Sequence, residues 1–219
     1  MNAAVSTVGL LLGPRFAGLV SQTTGEPAVA SVGGRSVPCS VRGAGESAAA
    51  TASRVRSVCG LGPGILFVVD EALPVRPDWV ASGGRFALVA DHLNLTGDNP
   101  LVGQNDPEWG PRFQDLTDAW DPALRAVLRR TALESGLDLR EGVVAGVAGP
   151  SRTAAERAML RMLGADMASN GFVAEAITGR HAGRRVVGLA VTSADQGSGS
   201  LETVLGSFIE ALEEADVAG

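Results

Sequence analysis

Two adjacent carboxylates, Asp70 and Glu71, close an apolar run that begins at Ile65. Open α/β sheets bind their ligands at the carboxyl ends of strands, and a carboxylate there can activate water or steady a developing cation. Plainer roles fit the same residues: Asp70 can cap the turn that follows, and Glu71 can sit in solvent. Other reactive groups are few. The chain has no lysine and no tyrosine, which excludes Schiff-base chemistry on lysine and a tyrosine general acid. Cys39 and Cys59 form no CxxC or metal-ligand spacing and read as buried thiols. His92 and His181 have no metal-spaced partners and read as hydrogen-bonded structural residues, so neither a metal nor a cofactor is expected. A glycine loop that cradles phosphate follows a strand and opens a helix. Gly60-Leu61-Gly62-Pro63-Gly64 follows a helical pattern and precedes a strand, so it is not such a loop.

The elements that must position these groups alternate between short apolar runs and helical patterns, which predicts an α/β fold: a twisted mixed β-sheet flanked by helices. Strands are expected over Val5–Leu12, Ile65–Asp70, Phe86–Ala90, Val143–Val147 and Val186–Thr192, with a hairpin of Ala28–Val32 and Val37–Val41 around Gly33-Gly34. Ser47 caps a helix over Ala48–Cys59, Asp121-Pro122 opens another that ends before Gly136, and Thr153 with Glu156 forms a capping box for a third. Phe172–His181 reads as a short helix, and Leu201, Val204, Leu205, Phe208, Ile209 and Leu212 follow helical spacing near the end. No repeat or linker interrupts the 219 residues, which are read as a single domain, 1–219.

Hydrophobic residues make up 45% of the chain and charged residues 19%, the balance of a packed fold rather than a disordered one. A net charge of −6 argues against a nucleic-acid partner. No run is long enough to span a bilayer and no basic leader precedes Val8–Leu12, so a cytoplasmic protein without a membrane partner is expected. The segment Asp91–Asp121 is long, polar and studded with aromatics between two regular elements, and a connection of that kind usually binds or assembles.

Three blocks carry a resemblance. Asp91-His92-Leu93-Asn94-Leu95-Thr96-Gly97-Asp98-Asn99-Pro100-Leu101, with Arg112-Phe113 and Asp118-Ala119-Trp120-Asp121, is similar to a loop of the trimeric purine nucleoside phosphorylases. Ala148-Gly149-Pro150-Ser151 with Leu163-Gly164-Ala165-Asp166, and Val173-Ala174-Glu175 through Ala182-Gly183, follow in the same order. The resemblance implies the phosphorylase/hydrolase-like fold, a homotrimer and a small-molecule, nucleoside-like ligand. In that family phosphate displaces a purine from the sugar, gripped by a serine after the first strand, an Arg, a His and a second serine. Here the first strand ends Leu12-Gly13-Pro14-Arg15, and the second serine's segment reads Asn170-Gly171-Phe172. Arg15, Arg35 and Arg42 have no spacing that rebuilds the anion site. The glutamate expected after Gly149-Pro150-Ser151 is replaced by Arg152-Thr153, and Ser193 stands for the base-contacting asparagine.

The resemblance thus implies a divergent member whose cleft is repurposed for a different small molecule, as in specialised metabolism. Asp70 and Glu71 are the catalytic candidates. Phe113, Arg152, Asn170, Phe172, Ser193 and Asp195 are the substrate-binding candidates. Two alternatives stand beside it: a non-catalytic homologue serving as a structural or partner subunit, and a nucleoside phosphorylase or hydrolase with relocated groups. Phe113 reads either as a wall of a neighbour's sugar site or as an interface plug, the latter preferred, with Trp109 and Trp120 expected at the same interface.

Overall fold

The computed structural model describes residues 6–20, 28–81, 85–137, 139–149, 152–192 and 198–217. Nine strands are joined in one mixed sheet: β1 Val8–Leu12, β2 Ala28–Val32, β3 Arg35–Val41, β4 Ile65–Glu71, β5 Leu73–Pro74, β6 Phe86–Asn94, β7 Leu139–Gly146, β8 Met167–Ser169 and β9 Arg185–Val191. The helices are α1 Ala48–Cys59, α2 Pro77–Ala81, α3 Pro122–Glu134, α4 Ala154–Met162, α5 Val173–His181 and α6 Ser198–Val217, and a 3-10 segment spans Pro14–Val20. The sheet order is β2-β3-β1-β4-β9-β6-β7-β8-β5. β3, β1, β4 and β9 run parallel, and β6 reverses against β9.

Strand alternation divides the core. Ile65, Phe67 and Val69 of β4 face α3 and α6 together with Leu10, Leu12, Val187 and Leu189. Leu66 and Val68 face the opposite way, among Val55 and Val58 of α1 and Ala176 of α5. Asp70 continues that second series. Only Ala72 separates β4 at the sheet centre from β5 at its far edge, where Leu73 and Pro74 pair with Ala168 and Met167 of β8. Ser169 Oγ also donates to the Glu71 carbonyl at 2.6 Å. The sheet therefore curls so that its far edge returns to the end of β4, and the ends of β1, β3, β4, β8 and β9 surround one hollow.

The predicted caps form: Ser47 Oγ accepts from Ala50, Asp121 from Leu124 ahead of Pro122, and Thr153 with Glu156 makes the capping box. β1 starts at Val8, and Val5 lies outside the described residues. The short pieces α2, β5 and β8 were not expected, because two to five residues carry no readable period.

The long loop also begins later than its polarity suggests. Asp91–Asn94 belong to β6 and pair with Val143–Gly146 of β7 after a bulge at Ala90. The remainder is held by side chains bonding its own backbone. Arg112 Nη1 donates to the carbonyls of Leu101 and Gly103 at 3.1 and 2.8 Å, and Asn105 Nδ2 to that of Gly110 at 3.0 Å.

Trp120 does not face outward, and Trp109 does so only in part. Trp120 is 1% exposed, its Nε1–H donates to His92 Nδ1 at 3.1 Å, and its ring meets Phe172 edge-on at 6.1 Å. It also fills the space where Gly188 of β9 lacks a side chain. Trp109 is partly buried against the same core cluster, with the Arg56 guanidinium 5.6 Å above its ring. Both indoles find their apolar partners inside their own protomer. Trp120→Ala should lower the unfolding free energy by about 3–5 kcal/mol, read from urea denaturation midpoints, since it empties the core and leaves His92 without its donor.

Candidate functional site

Asp70 reaches the hollow because it follows Leu66 and Val68 on one face of β4. Its carboxylate is 4% exposed, forms an ion pair with Arg42 just past β3, and accepts the Glu71 amide at 2.7 Å. A side chain at Gly13, past the end of β1, or at Gly171, between β8 and α5, would overlap this carboxylate. Both glycines are therefore required by contact. Arg42 is 5% exposed; its Nη2 also donates to Asn170 Oδ1 at 3.1 Å, and its Nε lies 3.7 Å from Glu175 Oε1. Glu175, buried on α5, accepts Arg54 Nη2 at 2.8 Å, and Arg54 Nε donates to Glu46 at 2.8 Å. Two guanidiniums thus face three carboxylates in a largely buried network.

This network separates two chambers that share Arg42, Gly149 and Asn170. The first, about 340 Å³, is lined by Arg15, Asp70, Glu71, Arg152, Asn170 and Thr192, among others. The second, about 260 Å³, extends past Glu46, Glu175, Asn94 and Asp98. Among the described residues, the charges lining the first chamber besides Asp70 and Arg42 are Arg15, Glu71 and Arg152, and the exposed Glu71 carboxylate pairs with Arg15. The chamber can hold a small polar molecule by hydrogen bonds and by either sign of charge.

The expected residues divide accordingly. Asp70, Glu71, Arg152 and Asn170 do converge on the first chamber. Phe172 does not. It is 0% exposed and turns its ring onto Trp120, because its backbone at φ 75°, a conformation no other described non-glycine residue adopts, directs the side chain into the core. Phe113 stands apart from both chambers at 91% exposure. Ser193 and Asp195 lie outside the described residues. The three arginines considered for an anion site are all engaged by carboxylates: Arg15 by Glu71, Arg35 by Glu210 and Glu213 of α6, and Arg42 by Asp70. Glu175, Arg54 and Glu46 were not anticipated. The one available signal was a carboxylate at Glu175 within the apolar stretch Val173–Ile177.

The family model described as the phosphorylase superfamily matches residues 18–217. Purine nucleoside phosphorylase 1 of Bacillus subtilis is 36% identical over 140 residues, covering 64% of this chain and 51% of that protein. Purine nucleoside phosphorylase of Mycobacterium tuberculosis is 39% identical over 140 residues, covering 64% and 47%. The chain spans about half the length of the curated relatives it matches. Among solved structures, Schistosoma mansoni purine nucleoside phosphorylase complexed with a monocyclic inhibitor superposes with a TM-score of 0.79 at 26% identity, covering 94% of this chain and 89% of that one. The Schistosoma enzyme in complex with guanosine also gives 0.79, at 25% identity, covering 95% and 89%.

Protonation states follow from burial. Asp70 is raised above the usual carboxylate range, chiefly by burial and slightly by Glu175, against the pull of Arg42 and the Glu71 amide. His92 is lowered by burial against the opposing pull of Asp91, and its Nδ1 accepts from an indole N–H that can only donate. A histidine lowered in the folded state contributes stability above its unfolded pKa of about 6.5 that is lost as pH falls through the folded value. Asp70 has the opposite sign: its contribution is present below about pH 3.9 and lost as pH rises through its folded value. Between pH 7.5 and 5.5 the urea midpoint should fall, and His92→Gln should flatten that slope. An unchanged slope in the variant would remove His92 from the account.

Proposed function

Since the chain belongs to the phosphorylase superfamily, we propose that it binds a nucleoside-like small molecule in the 340 Å³ chamber and acts on it without drawing on free phosphate. The observation that carries this reading is the Asp70 carboxylate, fixed to Arg42 and closed in by Gly13 and Gly171. The family resemblance puts the second phosphate-gripping serine at Gly171, and puts the first near the leucine that precedes Gly13. An incoming oxyanion would meet an anion already in place, in a network with one carboxylate more than it has guanidiniums, and like charges at such range cost several kcal/mol. Arg152, Asn170 and Thr192 line the chamber and orient the ligand, and Asp70 or Glu71 acts on it. Burial, which raises the Asp70 pKa, favours uptake of a proton there.

Ordinary phosphorolysis is the second reading, favoured by the relatives named purine nucleoside phosphorylase. One assay separates the two. Inosine, guanosine and adenosine are incubated with the protein, with and without phosphate, and free base is measured by chromatography. The proposed reading expects nucleoside binding by calorimetry and no phosphate-stimulated release of base; rapid release that saturates with phosphate would establish the second reading in its place.

We further infer a homotrimer in which Phe113 packs against a neighbouring copy. An isolated aromatic side chain at 91% exposure gains little where it is, and Val102, 79% exposed, lies on the same loop. Phe113→Ala should shift the sedimentation profile toward smaller species while changing the unfolding free energy of the dissociated protomer by less than about 0.5 kcal/mol. A trimer unchanged by the substitution would exclude the packing role.

A further inference from the structure

The features that hold Asp70 are those of a site for an oxyanion. Its two oxygens are gripped by different donors: Oδ2 by the Arg42 guanidinium and Oδ1 by the Glu71 backbone N–H. Guanidinium and main-chain N–H groups are also the usual donors to phosphate. The walls are the bare Cα atoms of Gly13 and Gly171, neither of which has a positive φ that would itself call for glycine. Arg42 is buried for a charged residue, and its Nε makes no hydrogen bond although Glu175 Oε1 is 3.7 Å away. Asn170 fixes the guanidinium through its Oδ1. The hollow opens on the 340 Å³ chamber, so the group in it has a route to solvent.

We propose that Asp70 is the resident ligand of an oxyanion pocket, a specificity-determining residue that fills the pocket with the chain's own carboxylate and so excludes free phosphate from the cleft. Removing the Asp70 side chain vacates the space between Gly13 and Gly171. It also releases two donors, Arg42 Nη2 and the Glu71 N–H. The remaining charges, Arg42 and Arg54 against Glu175 and Glu46, then balance. An inorganic phosphate restores the anion that the variant lacks. With Asp70 in place, the molecule in the chamber is neutral or cationic at the end that faces this carboxylate. The proposal rests on the reading of a phosphate-independent cleft given above, and it names the residue responsible.

The test compares the intact chain, Asp70→Ala, and Asp70→Ala combined with Arg42→Gln, in sodium phosphate and in sodium chloride at equal ionic strength. The Asp70→Ala protein melts lower in chloride. Phosphate at about a hundred times its Kd raises its melting temperature by about 5–10 °C, and calorimetry shows one phosphate bound per chain. The intact chain and the double variant show neither effect. If the single variant does not fold in chloride, refolding from urea in phosphate against chloride gives the same readout. Equal behaviour of Asp70→Ala in the two salts, by melting or by refolding, overturns the proposal. So does a phosphate response of the same size in the double variant, which would place the anion elsewhere. Either result removes Asp70 as the cause of phosphate independence; the proposed function itself fails on a different result, phosphate-saturable base release by the intact chain.

Discussion

The buried Arg42–Asp70 ion pair is the interaction on which the rest of the site depends. Removing two charges from water costs several kcal/mol per ion, and the pair persists only if its remaining donors and acceptors are met and its geometry is held. Here Asn170 accepts from Arg42 Nη2, Glu175 lies 3.7 Å from Arg42 Nε as an ion pair without a hydrogen bond, and the Glu71 amide takes the second Asp70 oxygen. Arg54 then holds Glu175, and Glu46 and Ser40 hold Arg54. The pair thereby ties β3, β4, α1 and α5 together, and loss of Arg42 would leave three carboxylates facing the single Arg54 guanidinium.

That requirement reaches into the backbone. The carboxylate leaves room for nothing beyond hydrogen at Gly13 and Gly171. Directly after Gly171, Phe172 adopts φ 75°, a conformation costly for a bulky residue and retained only where packing over-determines it. The packing is visible: the Phe172 ring lies on Trp120, and Trp120 is anchored to His92 and fitted over Gly188. The long loop thus ends in the core at Trp120, which is tied back to His92 of β6. Its middle is held by bonds such as those from Arg112 to Leu101 and Gly103, which make no reference to the cleft.

Much of the architecture was legible in residue order because it depends on local chemistry. Ser47, Asp121 and Thr153 cap helices through contacts three residues away, and the alternation in β4 and β9 reflects burial on both faces. What was not legible depends on closure of the sheet. Asp70 and Arg42 are 28 residues apart, and Arg54 and Glu175 are 121 apart. Nothing in their spacing foretells that the curl from β4 to β5 and β8 brings them together. Phe172 misled for a related reason. Its place beside Asn170 and Gly171 put it among the substrate-binding candidates, but its positive φ turns the ring into the core onto Trp120.

The loop and the cleft therefore support different conclusions. A loop stabilised by its own side-chain hydrogen bonds and two inward tryptophans constrains how the chain folds and which aromatic it leaves outside. It places no demand on the charge at the end of β4. That charge is set by a single side chain acting through a network of long-range pairs. In the proposed reading, reaction type changes at Asp70 while the surrounding fold is kept, because the carboxylate brings its own charge to the guanidinium and needs no further rearrangement of the walls than two glycines. Family membership follows from the frame as a whole, whereas in the proposed reading the reaction turns on which anion the Arg42 guanidinium holds.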